Sequence, residues 1–195
     1  CRHHRPLERR QTRRRTRPRK AQPVRHGKME IRISGIVNDS IVDGRGIRLT
    51  VFTQGCPHHC PGCHNPQTHD FAGGRVEDTD VIFDMFKKNP LLRGITFSGG
   101  EPFCQPKPLL ALAKQVHALH KDVTAYSGWT YEQLVSMHNP DVDALLNACD
   151  VLVDGPYIEQ QRNLELLFRG SENQRLIDMN ATRRNGRVTL LQLDY

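Results

Sequence analysis

The chain has 195 residues, enough for one domain with a substantial core and marginal for two. No apolar run approaches the roughly 18 residues of a membrane-spanning helix, so no membrane role is expected. The net charge of +7 points to nucleic acid only until it is located. Residues 1–28 set twelve Lys and Arg against Glu8 alone, a balance of +11, whereas residues 29–195 set 16 basic against 20 acidic side chains, a balance of −4.

Residues 1–28 have almost no apolar side chains to offset the entropy of ordering them, and are expected to form a basic disordered extension. They lack the apolar stretch of a secretory signal and the serine content of a transit peptide. A single domain over 29–195 is expected, cytoplasmic and with no specific nucleic-acid partner.

Within that domain "GIRLTVFTQG" (46–55) is a β-branched run closed by glycine, a buried strand that delivers the chain into "GCPHHCPGCHNP" (55–66). "DTDVIFDMFKKNP" (78–90) reads as a helix, with Asp78 or Thr79 as cap, Val81, Ile82 and Met85 on one face, and Pro90 as its stop. "LLRGITFSGGEP" (91–102) is a second strand running into a glycine turn. A helix follows over 106–121, with Leu109, Leu112, Ala113, Val116 and Leu119 on one face.

"DVTAYSG" (122–128) is a third strand, and Thr130 with Gln133 forms a capping box that opens another helix. "CDVLVDGPY" (149–157) and "GRVTLLQLD" (186–194) repeat the strand pattern. Strands alternating with helices imply parallel pairing, with helices covering the sheet. About five β/α units are too few to close an eight-stranded barrel, so an open, partial (β/α) barrel is expected. The cysteine loop, "SGGEP", "YSG" and "VDGP" all follow a strand's C-terminal end, the edge where parallel α/β folds bind ligands.

Three of the six cysteines, Cys56, Cys60 and Cys63, fall within eight positions, too close for mutual pairing without a strained loop. They fit a metal or catalytic role in a reducing compartment. Structural zinc and electron-carrying clusters take four protein ligands, so three thiolates leave one metal position open for a substrate. The other reading is a Cys3His zinc site, in an interaction module, that recruits His58, His59 or His64. Cys104 and Cys149 read as ordinary thiols, Phe103 and Trp129 as packing residues, and Asp43 and Asp154 as acids at the same edge or turn caps.

The C-x3-C-x2-C spacing resembles that of the radical S-adenosylmethionine enzymes, and "SGGEP" resembles their glycine-rich motif. "VDGRGIRLTVFTQGC", "CHNPQTHDFAGG" and "LVDGPYIEQQRNLELLFRGSENQRLID" are similar to the glycyl-radical-enzyme activases, most closely the branch that activates the anaerobic ribonucleoside-triphosphate reductase. The likeness covers nearly all of 29–180. Arg45 stands where that family usually has proline and His69 where it usually has tryptophan, neither at the cysteines or the Gly-Gly-Glu motif.

The resemblance implies a [4Fe–4S] cluster on Cys56, Cys60 and Cys63, reduced by a donor such as a flavodoxin. Bound S-adenosylmethionine is then cleaved to methionine and a 5′-deoxyadenosyl radical, which takes a hydrogen atom from a backbone glycine of the reductase. An activase of another glycyl radical enzyme, or another small radical S-adenosylmethionine enzyme, is the alternative. By the same resemblance Ser98, Gly99, Gly100 and Glu101 border the methionine moiety, with Glu101 accepting from its ammonium group. Gly62, Cys63 and His64 border the adenine, and Tyr126 and Ser127 the ribose. Gly100 is expected to admit the ligand by close backbone approach, on a strand end separate from the cysteine loop, so that enlarging it spares cluster assembly.

Overall fold

A computed structural model describes residues 29–193. Seven strands, β1 (Glu30–Ser40), β2 (Arg48–Thr53), β3 (Arg75–Asp78), β4 (Gly94–Gly99), β5 (Asp122–Tyr126), β6 (Val151–Asp154) and β7 (Arg175–Asp178), form one sheet in the order β3-β1-β2-β4-β5-β6-β7. The sheet does not close on itself, which is the expected open, partial barrel. Its centre is parallel, from β2 through β4 and β5 to β6. Its flanks are antiparallel, with β1 on β2, β3 on β1 and β7 on β6.

The expectation of parallel pairing therefore holds only for the four central strands, because β1 and β7 reach their neighbours through connections without a crossover helix. Three strands, β1, β3 and β7, escape the sequence pattern. β1 alternates apolar and polar only around Ile31 and Ile33, and β3 is four residues on the outer edge. The sequence pattern predicts a strand over 186–194, but β7 takes that place in the sheet. The later segment contributes one bridge, Leu190 to Ile177, after Gly186 ends the preceding helix in the left-handed conformation.

Helices α1 (Thr79–Lys88), α2 (Pro106–His117), α3 (Tyr131–Ser136), α4 (Pro140–Ala148) and α5 (Met179–Asn185) complete the element order. Alternate strand residues build the core: Ile33, Val51, Ile95, Phe97, Val123 and Leu152 pack with Ile82, Leu109, Leu112 and Leu145 of the helices. In α1 the buried positions are Thr79, Ile82 and Phe86, while Val81 is 45% exposed, so the apolar stripe lies one residue away from the one expected. Leu119 lies past the end of α2 and is also exposed.

The intervening strand positions bear a different set: Arg48, Thr50, Thr96 and Thr124 are all buried. Buried polar side chains need partners, and these have them. Arg48 donates to Thr96 Oγ1 (2.6 Å), to the carbonyls of Ile95 (2.8 Å) and Arg45 (3.0 Å), and pairs with Asp122 (2.6 Å). This polar layer leaves the upper, C-terminal edge of the strands open to a large cavity.

Candidate active site

Each central strand ends at that edge in a turn. β2 runs into the cysteine loop, β4 into Gly99-Gly100-Glu101, β5 into Ser127-Gly128 and β6 into Gly155. Residues from all four turns line one cavity of about 760 Å³. Cys56, Cys60, Cys63, His64, Ser98, Gly99, Gly100, Tyr126 and Ser127 all border it. Gly62 and Glu101, grouped with them on the sequence, are not among its lining residues.

The cysteine loop is closed on itself by backbone. Gly55 N donates to Thr68 O (2.8 Å), Cys56 N to His69 O (3.2 Å) and Cys63 N to Cys60 O (3.1 Å). Gln54, 2% exposed, donates to the carbonyls of Gln67 (3.0 Å) and Asp70 (2.6 Å), and so ties the loop's entry to its exit. The departure at His69 therefore does touch the cysteine loop, through its carbonyl, and its ring meets His59 edge-on with centroids 5.0 Å apart. Arg45 lies at the other end of the sheet, on a separate cavity of about 200 Å³ that it shares with Arg48 and Asp122.

Burial pushes the Cys56 thiol above the usual range, and nearby Glu101, Cys60 and Cys63 push it further. Among the described residues no three His, Cys, Asp or Glu side chains gather tightly enough to hold one metal ion. Cys56, Cys60 and Cys63 line the same cavity, and three thiolates are what an iron-sulfur cluster with one open iron takes.

Glu101 does not face the cavity. It is fully buried, and both its oxygens are occupied by protein donors: Phe103 N (3.0 Å) on Oε1, and Gly128 N (2.9 Å), Ser127 Oγ (3.1 Å) and His58 Nε2 (2.7 Å) on Oε2. The geometry corrects the expectation that this carboxylate waits for a ligand's ammonium group. It joins the turn after β4 to the turn after β5 and to the cysteine loop.

The two glycines before it serve the same junction. A Cβ on Gly99, whose φ is +94°, would fall 2.7 Å from backbone atoms of Phe52 and Thr53, and one on Gly100 would fall 2.5 Å from Gly55 O. Gly100 thus makes its close approach to the chain's own cysteine loop, with Gly100 N donating to Thr53 O (2.8 Å) and Glu101 N to Gly55 O (2.9 Å). Gly62 likewise faces Glu159.

Of the remaining expected residues, Tyr126 Oη donates to Phe168 O (2.7 Å), and burial raises its pKa well above the usual tyrosine value. Asp43 borders the cavity and accepts from Thr50 Oγ1 (3.1 Å). Asp154 does not; it accepts from Tyr131 N (2.7 Å) at the start of α3 and pairs with Arg175. Cys104 is exposed and Cys149 buried, neither on the cavity. Phe103 sits in the core, and Trp129 packs against it and meets the His58 ring edge-on at 4.5 Å.

The connection between β6 and β7 forms a further side of the cavity. Its leucines at 164, 166 and 167, Phe168 and Arg169 line the cavity, and their part in it is not legible in an apolar, non-periodic stretch. Asn173 and Gln174 hold this strap down by donating to the carbonyls of Pro156 (2.8 Å) and Gly155 (3.1 Å).

The profile of the 4Fe-4S single cluster domain family matches residues 42–177, which contain the three cysteines and all four turns at the strand ends. The anaerobic ribonucleoside-triphosphate reductase-activating protein of Salmonella typhi is 36% identical over 143 residues, covering 69% of this chain and 90% of the relative. The chain belongs to this family of activating proteins. The Escherichia coli K12 member is 32% identical, covering 69% of this chain and 90% of its own. The member from enterobacteria phage T4 is 29% identical, covering 69% and 86%. The crystal structure of QueE from Escherichia coli is a more distant likeness, at 15% identity and a TM-score of 0.41, over 52% of this chain and 53% of that one. The family's [4Fe–4S] cluster finds a fitting donor set in this member: three thiols of one self-closed loop, on the wall of a cavity large enough for the cluster and a second molecule.

Proposed function

We propose that this family member activates the anaerobic ribonucleoside-triphosphate reductase by generating a radical on a backbone glycine of that enzyme. Cys56, Cys60 and Cys63 would hold the [4Fe–4S] cluster, and the cavity beside them would hold S-adenosylmethionine. Together these groups supply reductive cleavage of a C–S bond and abstraction of a hydrogen atom. The observation that carries the reading is the convergence of four parallel strand ends, each ending in a turn that borders the same cavity as the three cysteines. The names of the relatives point to the reductase as the target.

The chain's own contribution is position and exclusion of water. The turns after β4 and β5 are fixed to the cysteine loop through Glu101, so a molecule bound between them meets a rigid wall. The strap brings leucines and Phe168 to the cavity, an apolar wall that shields a reactive species from solvent. The electron comes from a low-potential donor such as a flavodoxin, in the cytoplasm. We assign the activity to residues 29–195, and a chain without residues 1–28, which lie outside the described part, is expected to retain it.

The test is anaerobic mixing of the cluster-loaded protein with the reductase, S-adenosylmethionine and a reductant, followed by electron paramagnetic resonance. A glycyl radical doublet on the reductase is expected, with 5′-deoxyadenosine as co-product. A colourless zinc protein, or cofactor cleavage without a radical on the reductase, would overturn the reading.

A further inference from the structure

The strap between β6 and β7 carries one residue in a conformation that its side chain disfavours. Phe168 has φ +61°, in the left-handed region, where a bulky aromatic is an outlier. The other non-glycine residues with positive φ, among the described ones, are His59, His120 and His138, a residue type that visits this region more readily. An outlier of this kind persists only where its surroundings over-determine it. Phe168 lines the main cavity and also the separate cavity of about 200 Å³ that Arg45 and Arg48 border.

What holds it is a side chain from the sheet. Tyr126, the last residue of β5, donates from Oη to Phe168 O at 2.7 Å. Burial raises the Tyr126 pKa, so the phenol stays protonated and keeps its donor. The tip of the strap, residues 164–168, has little else. Among the described residues its one other hydrogen bond is local, from Glu165 N to Asn163 Oδ1 (2.9 Å). Leu164 is 82% exposed and Leu167 42%, so the tip buries little apolar surface to fix its place. The legs on either side are tied to each other instead: Ile158 N donates to Ser171 Oγ (3.2 Å) and Glu172 N to Gln161 O (2.9 Å), while Gly170 N (2.9 Å) and Ser171 N (3.2 Å) donate to Gln174 Oε1.

We infer that Tyr126 is the latch that positions the tip of the strap. Its hydroxyl holds Phe168 in the left-handed conformation. When that bond breaks, Phe168 relaxes toward the extended region, the tip leaves the cavity wall, and the two cavities join past it. The legs stay in place, so the motion is confined to 164–168. The hydroxyl is thus spent on the chain itself rather than on a ribose, and Tyr126 acts on a bound molecule through the strap. The inference rests on the proposed function only for what the cavity holds, and its test needs neither cofactor nor reductase, so the two can fail separately.

The test is backbone amide hydrogen exchange of the cluster-loaded full chain, without cofactor or reductant. For a segment that opens locally, the change in exchange rate reads the change in its opening equilibrium. Tyr126→Phe removes only the hydroxyl. It is expected to speed exchange across 164–169 by about 3- to 10-fold, the range of one net hydrogen bond, with β2 and β4 changed less than about twofold. Two variants at 168 read the backbone without the ring. Phe168→Gly takes the left-handed conformation freely and Phe168→Ala does not, so the alanine variant should exchange about threefold faster than the glycine variant, or more. Unchanged exchange in Tyr126→Phe would show that the hydroxyl does not hold the tip, and an increase spread over the whole chain would show that it supports the fold at large. Equal exchange in the two variants at 168, or faster exchange in the glycine variant, would show that the tip is not held in a left-handed conformation. Any of these results overturns the inference.

Discussion

His58 Nε2 and Glu101 Oε2 lie 2.7 Å apart, joining the cysteine loop to the turn that follows β4. The same oxygen also receives Gly128 N and Ser127 Oγ from the end of β5. One buried carboxylate thus keeps three strand ends in register around the cavity, and the cysteine loop cannot shift without disturbing the turns after β4 and β5.

Replacing Glu101 tests that role. Glu101→Ala leaves Phe103 N, Gly128 N and Ser127 Oγ buried without an acceptor, and should cost about 3–5 kcal/mol in anaerobic urea unfolding. Glu101→Gln is expected to cost less, about 1–3 kcal/mol, because its amide oxygen can serve the three donors at Oε2 while its NH2 must face Phe103 N–H. A loss below about 1 kcal/mol in both variants would show that the junction is held by other contacts.

The cysteines should separate into two groups. Cys56→Ala, Cys60→Ala or Cys63→Ala is expected to lower bound iron to a small, labile fraction, measured as iron and sulfide per chain. Cys104→Ala and Cys149→Ala should retain it, since Cys104 is exposed and the Cys149 thiol is committed to the Leu145 carbonyl at 3.3 Å. A full cluster in any of the first three variants would sink the ligand assignment.

The contrast between what the sequence reveals and what it hides follows from the range of each interaction. The cysteine spacing, the strand-then-turn rhythm and the Thr130–Gln133 capping box are local patterns, and each appears in the structure at the residues where it is read. Glu101 is different. Its identity suggests a ligand contact, but its partners at 58, 127 and 128 are distant in sequence, and only the parallel order of the strands brings them together. The strap over 155–174 is hidden for the same reason, because its place beside the cavity depends on how Asn173 and Gln174 fold back on Pro156 and Gly155. β7 and the segment after α5 compete for one edge, and the apolar run at 188–191 looks the better strand until Arg175 is seen pairing with Asp154 and Glu132.

Away from the cavity, Asp150 should govern part of the acid sensitivity of the fold. Burial alone would raise its pKa, but hydrogen bonds from Asn180 (3.0 Å), His117 (2.9 Å) and Val123 N (2.9 Å) outweigh that and hold it below the usual carboxylate value. A carboxylate depressed in the folded state contributes stability that is fully present above its unfolded pKa of about 3.9 and fades as pH falls through the lower folded value. Asp150→Asn is therefore expected to be less stable near neutral pH by about 1–2 kcal/mol, and to lose less than the unsubstituted protein on going below about pH 4. Parallel stability curves for the two proteins across that range would contradict the assignment.

The last prediction concerns Gly100, where the structure reverses the expectation drawn from the motif. If the glycine only made room for a ligand, a larger residue would block S-adenosylmethionine and spare the cluster. Instead the position of a Cβ at Gly100 lies 2.5 Å from Gly55 O and 3.0 Å from Thr53 O, backbone atoms that cannot move aside like the end of a flexible side chain. Gly55 precedes Cys56, and its carbonyl accepts from Glu101 N at 2.9 Å. Even a methyl group must push the cysteine loop away from the turn after β4 and stretch that hydrogen bond. Gly100→Ala is accordingly expected to reduce iron and sulfide content after anaerobic reconstitution by about half or more, and Gly100→Val to abolish stable cluster binding, each with a loss of about 1–3 kcal/mol in stability. A brown Gly100→Val protein with a full, reducible cluster and a defect confined to cofactor affinity would show that the glycine faces the ligand after all.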